Sequence, residues 1–351
     1  MNTNLKDFGF DSRFEAFAAE YSQWMPARVL IQEKGLYTVV SESGEGWAEV
    51  SGRFRFEAEK GTDYPAVGDF VMIDPNPNGR AIIHRVLPRK SSFIRKAAFS
   101  LYEEQIVAAN IDTVFLCMAL NGNFKLRRLE RYLTLAWDSG AIPVVLLTKA
   151  DLCEDLPEKL AAVESIAAGA DILVTSAFDE KGCQPLMPYL QKGKTVAFIG
   201  SSGVGKSTLI NRLLGAEILA TNGLRDDDRG RHTTTRRQLM VLPCGAMVID
   251  TPGMRELGMT DEAGLGLEQT FGEIEVLVHA CRFADCTHTG EPGCAVQAAL
   301  EKGELLPERW LAYQKLLKEA KYAESQAEYL KEKRKHFKQI SKNKRNRDHK
   351  R

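Results

Sequence analysis

Residues 144–152 read VVLLTKADL. Four apolar residues run into a polar, charged tail, the pattern of a buried strand that ends in a loop. Similar runs lie on both sides. IDTVFLCMAL, before it, is nearly continuous in apolar residues, as expected of a strand covered on both faces. Between the two, LRRLERYLTLAW spaces its apolar residues as a helix does. After it come a helix through KLAAVESIAAG, a strand DILVTSA, a short helix MPYLQKG and a strand TVAFIG. A helix STLINRLLG and strands RRQLMVLPC and AMVIDTPG complete the series. Strands alternating with helices predict a mostly parallel, doubly wound α/β sheet.

TVAFIG-SSGVGKST-LINRLL carries the sharpest motif. Gly200-Ser201-Ser202-Gly203-Val204-Gly205-Lys206-Ser207 fits G-x-x-x-x-G-K-[ST], with Thr208 next, an apolar strand before and a helix after. Such glycines let successive backbone N–H groups turn inward as an anion nest, and the helix N-terminus adds its positive end. Lys206 is expected to reach the β- and γ-phosphates of a nucleotide and Ser207 to ligate Mg²⁺. Downstream, AMVID-TPG puts Asp250 at a strand end and Gly253 three residues on, matching the DxxG element of GTPases. Asp250 would hold the Mg²⁺ shell through water, and the Gly253 N–H would sense the γ-phosphate. Between the two lies Gly230-Arg231-His232-Thr233-Thr234-Thr235. A switch I threonine that ligates Mg²⁺ belongs here; Thr234 is the candidate, with its neighbours as alternatives.

A GTPase must also read guanine. An Asp carboxylate can accept from N1–H and N2–H₂ together, a pattern adenine does not offer. Nothing after Gly253 supplies such a residue at a strand end. Thr148-Lys149-Ala150-Asp151 does, in the form [NT]KxD, and Thr175-Ser176-Ala177 ends the next strand like the supporting SA element. The order along the chain is therefore base-reading, base-supporting, phosphate loop, switch I, DxxG. That is a circularly permuted GTPase domain. The permutation keeps the sheet because ligands bind at strand C-terminal ends wherever the chain is cut. Thr148 offers a hydroxyl where Asn would offer an amide, so its bond to the base or the phosphate loop is expected to be weaker.

Residues 1–27 read as a short helical extension. From 28 to 95, ARVLIQ, LYTVVSE, GWAEVSG, FRFEA, DFVMID and AIIHRVL are short β-rich runs between turn residues, which predicts an OB-like barrel. Its exit carries Arg80, Arg85, Arg89, Lys90, Arg95 and Lys96 without an acid, with Phe93 and Phe99 interleaved. Basic grooves with stacking aromatics bind nucleic acid, so RNA contact is expected here. The permuted GTPase domain then spans 96–262, a helical zinc-binding domain 263–330 and a basic tail 331–351.

In that C-terminal domain Cys281-x₄-Cys286-x-His288-x₅-Cys294 offers three thiolates and an imidazole, a closed set of the kind that holds structural zinc. The spacing is not that of a DNA-reading finger, and His279 is a spare neighbour. The seven cysteines are odd in number and predict no disulfide framework. The 351 residues are 44% hydrophobic and 27% charged with zero net charge, a soluble composition. The tail holds eleven Lys/Arg against two acids, leaving a body with 36 basic and 45 acidic residues. A basic tail on an acidic body suggests a polyanionic partner. The early acids and lack of an apolar leader, and the absence of an apolar run near ~20 residues, predict a cytoplasmic protein away from the membrane.

Permuted GTPase motifs, a barrel before them and the Cys-Cys-His-Cys spacing after them resemble the ribosome small-subunit-dependent GTPase family (RsgA, also called YjeQ). The resemblance covers roughly residues 28–300, and GRHTTT, NFKLRRLERYL and DTPG are similar to its members. It implies a GTP hydrolase of late small-subunit maturation, with GTP/GDP, Mg²⁺ and one structural Zn²⁺. It also implies binding to the subunit's rRNA, slow hydrolysis alone and faster hydrolysis on the subunit. The family accepts Thr at the first base-motif position. The chain is read as a monomer, and the tail lies outside the resemblance.

The position after DxxG, where many GTPases carry a water-orienting Gln, is Met254. Slow intrinsic hydrolysis is expected, with His232, beside the switch threonines, as the candidate to orient water. The chain runs from DTPG to the cysteine cluster within about thirty residues, so switch II leads into the zinc module. Two other classes compete: a P-loop ATPase or kinase with structural zinc, which leaves TKAD and TSA unexplained, and a non-enzymatic RNA-binding scaffold.

Overall fold

The computed structural model describes residues 3–33, 35–76, 79–96, 104–177, 179, 181–219, 237–250 and 264–325. After helix α1 (Ser12–Ala19), strands β1 (Met25–Glu33), β2 (Leu36–Ser41), β3 (Gly44–Val50), β4 (Phe70–Asp74) and β5 (Ala81–Val86) close into a barrel. Its strands pair in the order β1-β2-β3-β5-β4-β1, parallel only at β3–β5. Alternation fills the interior. Ala27 and Val29, Tyr37 and Val39, Val71 and Ile73 point inward, while Leu30, Val40, Phe70 and Met72 join the main core outside.

One run of the expected strands is a helix. FRFEA falls in α2 (Gly52–Glu57), where Ser51 Oγ accepts from Phe54 N at 3.0 Å and Arg53 pairs with Glu57 one turn on. The N-cap and the i,i+4 ion pair favour a helical turn over the two-residue alternation of the phenylalanines. Phe54 packs inward and Phe56 is exposed.

The basic exit of the barrel also differs from a free nucleic-acid surface. Arg89 is locked onto the fully buried Asp69 (2.7 Å), Lys90 onto Asp112 (2.8 Å), and Phe93 is buried. Burial costs a charge its hydration and is tolerated only with such partners. Arg80 and Arg85 are more exposed and lie near Glu49 and Glu57. Phe99 lies outside the described residues.

A two-stranded ribbon, β6 (Ser92–Lys96) with β7 (Glu104–Ala109), leads to the α/β sheet. Its strands are β8 (Thr113–Ala119), β9 (Ile142–Thr148), β10 (Asp171–Val174), β11 (Thr195–Ile199), β12 (Arg237–Val241) and β13 (Met247–Asp250). They lie in the order β10-β9-β8-β11-β13-β12, parallel except for β12. Helices α3 (Leu126–Asp138), α4 (Leu156–Glu164) and α5 (Lys206–Leu214) connect them. The strand leading to the phosphate motif, β11, thus lies between β8, which precedes it by a long stretch of chain, and β13, which follows it.

The barrel continues this sheet. β1 pairs antiparallel with β12 through Ile31–Gln238 and Gln32–Arg237, giving eleven strands in one array. Beneath the joint Arg28 is wholly buried. It donates to Phe8 O (2.5 Å), Gly68 O (3.2 Å) and Thr195 Oγ1 (2.9 Å), and lies over the Phe70 ring. Burial pulls its pKa down to about 10, with Asp112 and Asp69 working against that.

Of the C-terminal helices, α6 (Gly264–Thr270) and α9 (307–325) contact α3, and α7 (Gly272–His279) and α8 (Ala295–Glu301) join the same core. Leu267, Phe271, Ile274, Val296, Trp310 and Leu316 are buried there, each apolar side chain worth about 1.5–3 kcal/mol when fully buried. Arg309 threads the interface, bonded to Glu130 (2.8 Å) of α3 and Glu273 (2.7 Å) of α7. No described helix is long and apolar enough to cross a membrane.

Candidate functional site

The loop after β11 turns back on itself at Gly203 and Gly205, which take φ of +72° and +98°, a region open to glycine at little cost. Gly205 caps α5, so the helix begins at Lys206 and its free N–H groups face the loop. Gly200 is needed for a different reason. A Cβ there would lie 2.5 Å from Cys117 O of the neighbouring β8, and backbone cannot yield. Lys206 Nζ spans the loop, donating to Gly200 O (2.7 Å) and Ser201 O (2.8 Å). Ser207 and Thr208 follow in the first turn, both half-buried, and Ser202 is exposed.

The loops that end β9 and β10 stand beside this one. Thr148 Oγ1 donates to Val204 O at 2.6 Å, so the base-side loop is tied to the phosphate loop by the hydroxyl itself. Val204 is buried, and its carbonyl would otherwise lack this donor. Lys149 adopts the left-handed conformation (φ +59°), turning the chain into a short 3₁₀ turn, Ala150–Leu152. Ser176 Oγ donates to Asp151 Oδ1 at 2.5 Å, and Ala150 N to Thr175 O at 3.2 Å. Arg212 of α5 donates to Ala177 O at 2.5 Å. The second loop closes tightly: a Cβ on Gly182 would fall 1.8 Å from Ser176 O.

Asp250 ends β13. Burial raises its proton affinity and the charge of Lys206 opposes that. Burial carries the Cys117 thiol up to about 12, keeping it neutral under the loop. His232, Thr234 and Gly253 lie outside the described residues.

Two residues outside the nucleotide motifs, both within the stretch NFKLRRLERYL, reach the phosphate loop. Asn123 Nδ2 donates to Ser201 Oγ (2.8 Å) and so does Arg128 Nη1 (2.9 Å), which also donates to Asn123 Oδ1 (2.8 Å). One sequence signal could have drawn attention to this helix start, though not to its partner. The first turn of α3 carries Arg127 and Arg128 and no acid, against the preference of a helix N-terminus.

At the other end, Cys281, Cys286, His288 and Cys294 bring their ligand atoms within 4.8 Å of one another. Cys281 Sγ and Cys294 Sγ are 3.9 Å apart, and each is 3.5 Å from His288 Nδ1. Tetrahedral zinc with ordinary bond lengths sets S–S near ~3.8 Å and S–N near ~3.5 Å. The donor set therefore fits one zinc ion with no position left open. His288 is held in a left-handed conformation (φ +59°), packs edge-on to Trp310, and receives a bond from Gln297 Nε2 at its carbonyl (2.5 Å).

Comparison with known proteins gives the same picture. The family model of the RsgA GTPases matches residues 86–260. Small ribosomal subunit biogenesis GTPase RsgA 2 of Lactiplantibacillus plantarum is 50% identical over 324 residues, 92% of this chain and 91% of that protein. Small ribosomal subunit biogenesis GTPase RsgA of Opitutus terrae is 45% identical, covering 90% and 88%. Among solved structures, YjeQ from Thermotoga maritima superposes with a TM-score of 0.61 at 30% identity, covering 84% of this chain and 98% of that one. YloQ, described as a circularly permuted GTPase, gives 0.58 at 25%, covering 85% and 95%. The order of strands in the sheet, the loops gathered at their ends and this likeness along most of the chain agree: the protein belongs to the RsgA GTPase family, with a barrel, a circularly permuted GTPase domain and a C-terminal Cys/His cluster.

Proposed function

We propose that this protein hydrolyses GTP during late maturation of the small ribosomal subunit, binding the subunit's rRNA and stimulated by the subunit. The observation that carries the reading is the bond from Thr148 Oγ1 to Val204 O. It brings the loop bearing Asp151 and the loop bearing Lys206 into one site, as a guanine nucleotide spanning both requires. The relatives' names supply the subunit. The protein would act in the cytoplasm as a monomer.

In this reading the amides of Gly200 to Ser207 cradle the phosphates, with Thr208 behind them in the first turn. Lys206 leaves its loop carbonyls for the β- and γ-phosphates. Asp151, oriented by Ser176, accepts from the guanine edge, while Lys149, Ala150 and Ala177 shape the base pocket. Ser207 and Thr234 would hold Mg²⁺, with Asp250 in its outer shell; the bound ion supplies positive charge to the β- and γ-oxygens. Gly253 contacts the γ-phosphate, and His232 orients the attacking water. Cys281, Cys286, His288 and Cys294 hold one structural zinc.

The deciding experiment is GTP turnover with and without purified small subunits. Turnover is expected to rise on adding subunits, and ATP should not compete with GTP. A flat response, or equal competition by ATP, would overturn the assignment. His232→Ala should bind GTP and lose stimulated turnover by about 10²-fold.

A further inference from the structure

Between β8 and α3 lies a segment that no nucleotide motif includes, yet it grips the phosphate loop. Asn123 is set by a local turn, its N–H donating to Asn121 Oδ1 (3.1 Å). Its side chain then forms a closed ring with Arg128 and Ser201, three contacts of 2.8–2.9 Å. Ser201 Oγ accepts two donors, one of them charged, and hydrogen bonds from charged groups are about twice as strong as neutral ones. The backbone oxygen of that serine also receives Lys206 Nζ. The ring therefore fixes the residue on which Lys206 rests.

The charge of Arg128 matters as well. The guanidinium is half-buried, and no carboxylate among the described residues forms an ion pair with it, whereas Arg131, one turn on, binds Glu319. At a helix N-terminus this cation is locally unfavourable. A polyphosphate on the far side of the loop would offset it.

The same helix carries the C-terminal module. Glu130 holds Arg309, Thr134 Oγ1 contacts Thr270 Oγ1 (3.2 Å), and Asp138 Oδ1 accepts from Gly266 N (2.7 Å). We propose that Asn123 and Arg128 are positioning residues of the phosphate loop. Through Ser201 they hold it in the form that receives the nucleotide's phosphates, and they join it to the helix on which the zinc module is docked. The inference rests on the GTP site proposed above.

The test is a double-mutant cycle in the full chain with Arg128→Gln, Ser201→Ala and the pair, reading Kd for GTP and GDP, turnover and Tm. Arg128→Gln should weaken GTP about tenfold, a change of roughly 1.4 kcal/mol, with Arg128→Lys recovering part of it. Ser201→Ala should weaken it too, and the pair should be no worse than the poorer single variant, because each breaks the same ring. A general loss of stability would instead lower Tm and leave Kd of the folded fraction alone. Multiplying effects, or unchanged GTP affinity and turnover in Arg128→Gln, overturn the inference. If Arg128→Gln does not fold, wild-type affinity in Ser201→Ala overturns it. Wild-type protein that fails to bind GTP would instead sink the functional reading beneath it.

Discussion

Thr148 is the residue at which a weak bond was expected and a short one is found. Its hydroxyl is buried and donates at 2.6 Å to the Val204 carbonyl. Thr148→Val keeps the shape and removes the donor, so a buried carbonyl loses its partner at a cost of about 1–2 kcal/mol. Urea unfolding should show that loss, and GTP affinity should fall with it. Asp151→Asn should move nucleotide preference from guanosine toward xanthosine nucleotides in competition binding, since the carboxylate is replaced by an amide that donates where it accepted. TKAD, TSA and the phosphate loop were legible because each is a few consecutive residues with one chemical task. Asn123 and Arg128 were not. Their partner lies more than seventy residues away, and no local pattern records such a contact.

Among the elements, the long apolar strands and the amphipathic α3 were plain in the sequence because burial on a sheet or a helix face imposes its period. FRFE was not, since one turn of helix and one short strand can both alternate phenylalanines, and a cap decides between them. The pairing of Arg89 and Lys90 at the basic exit was not legible for a similar reason: composition shows charges but not their partners, and Asp69 and Asp112 lie elsewhere in the chain. The α3–α6 contact has its own signature. Asp138 accepts from Gly266 N through one oxygen, while the other is buried without a partner. Burial raises its pKa from 3.8 to about 6. A raised folded pKa gives stability that is full below about 3.8 and is lost as pH rises through about 6. Asp138→Asn, which cannot ionise, should therefore raise Tm at pH 7.5, by less at pH 5, and bring little gain below about 3.8. Equal gains across this range would contradict the assignment.

For the whole molecule, the barrel and the α/β domain were legible as separate units, but their union was not, because it depends on side chains and edges from distant parts of the chain. Arg28 is the center of that union, satisfying groups of the N-terminal turn, the barrel and β11. Arg28→Met would bare several buried acceptors and cost roughly 3 kcal/mol or more. Denaturation followed separately by barrel and GTPase-domain probes should show the two transitions drawn apart in the variant and coincident in the wild type. The joint between β1 and β12 has a further consequence. It begins at Arg237, three positions after Thr234 in the chain. An edge strand normally ends a sheet; here it is spliced to the rim of a second domain. If Thr234 serves the nucleotide as proposed, a barrel ligand that strained this splice would bear on the GTP site, and reciprocity would then require nucleotide to change that ligand's affinity by the same factor. On that proposal the barrel would be a second input to the GTP site, reached through two residue pairs.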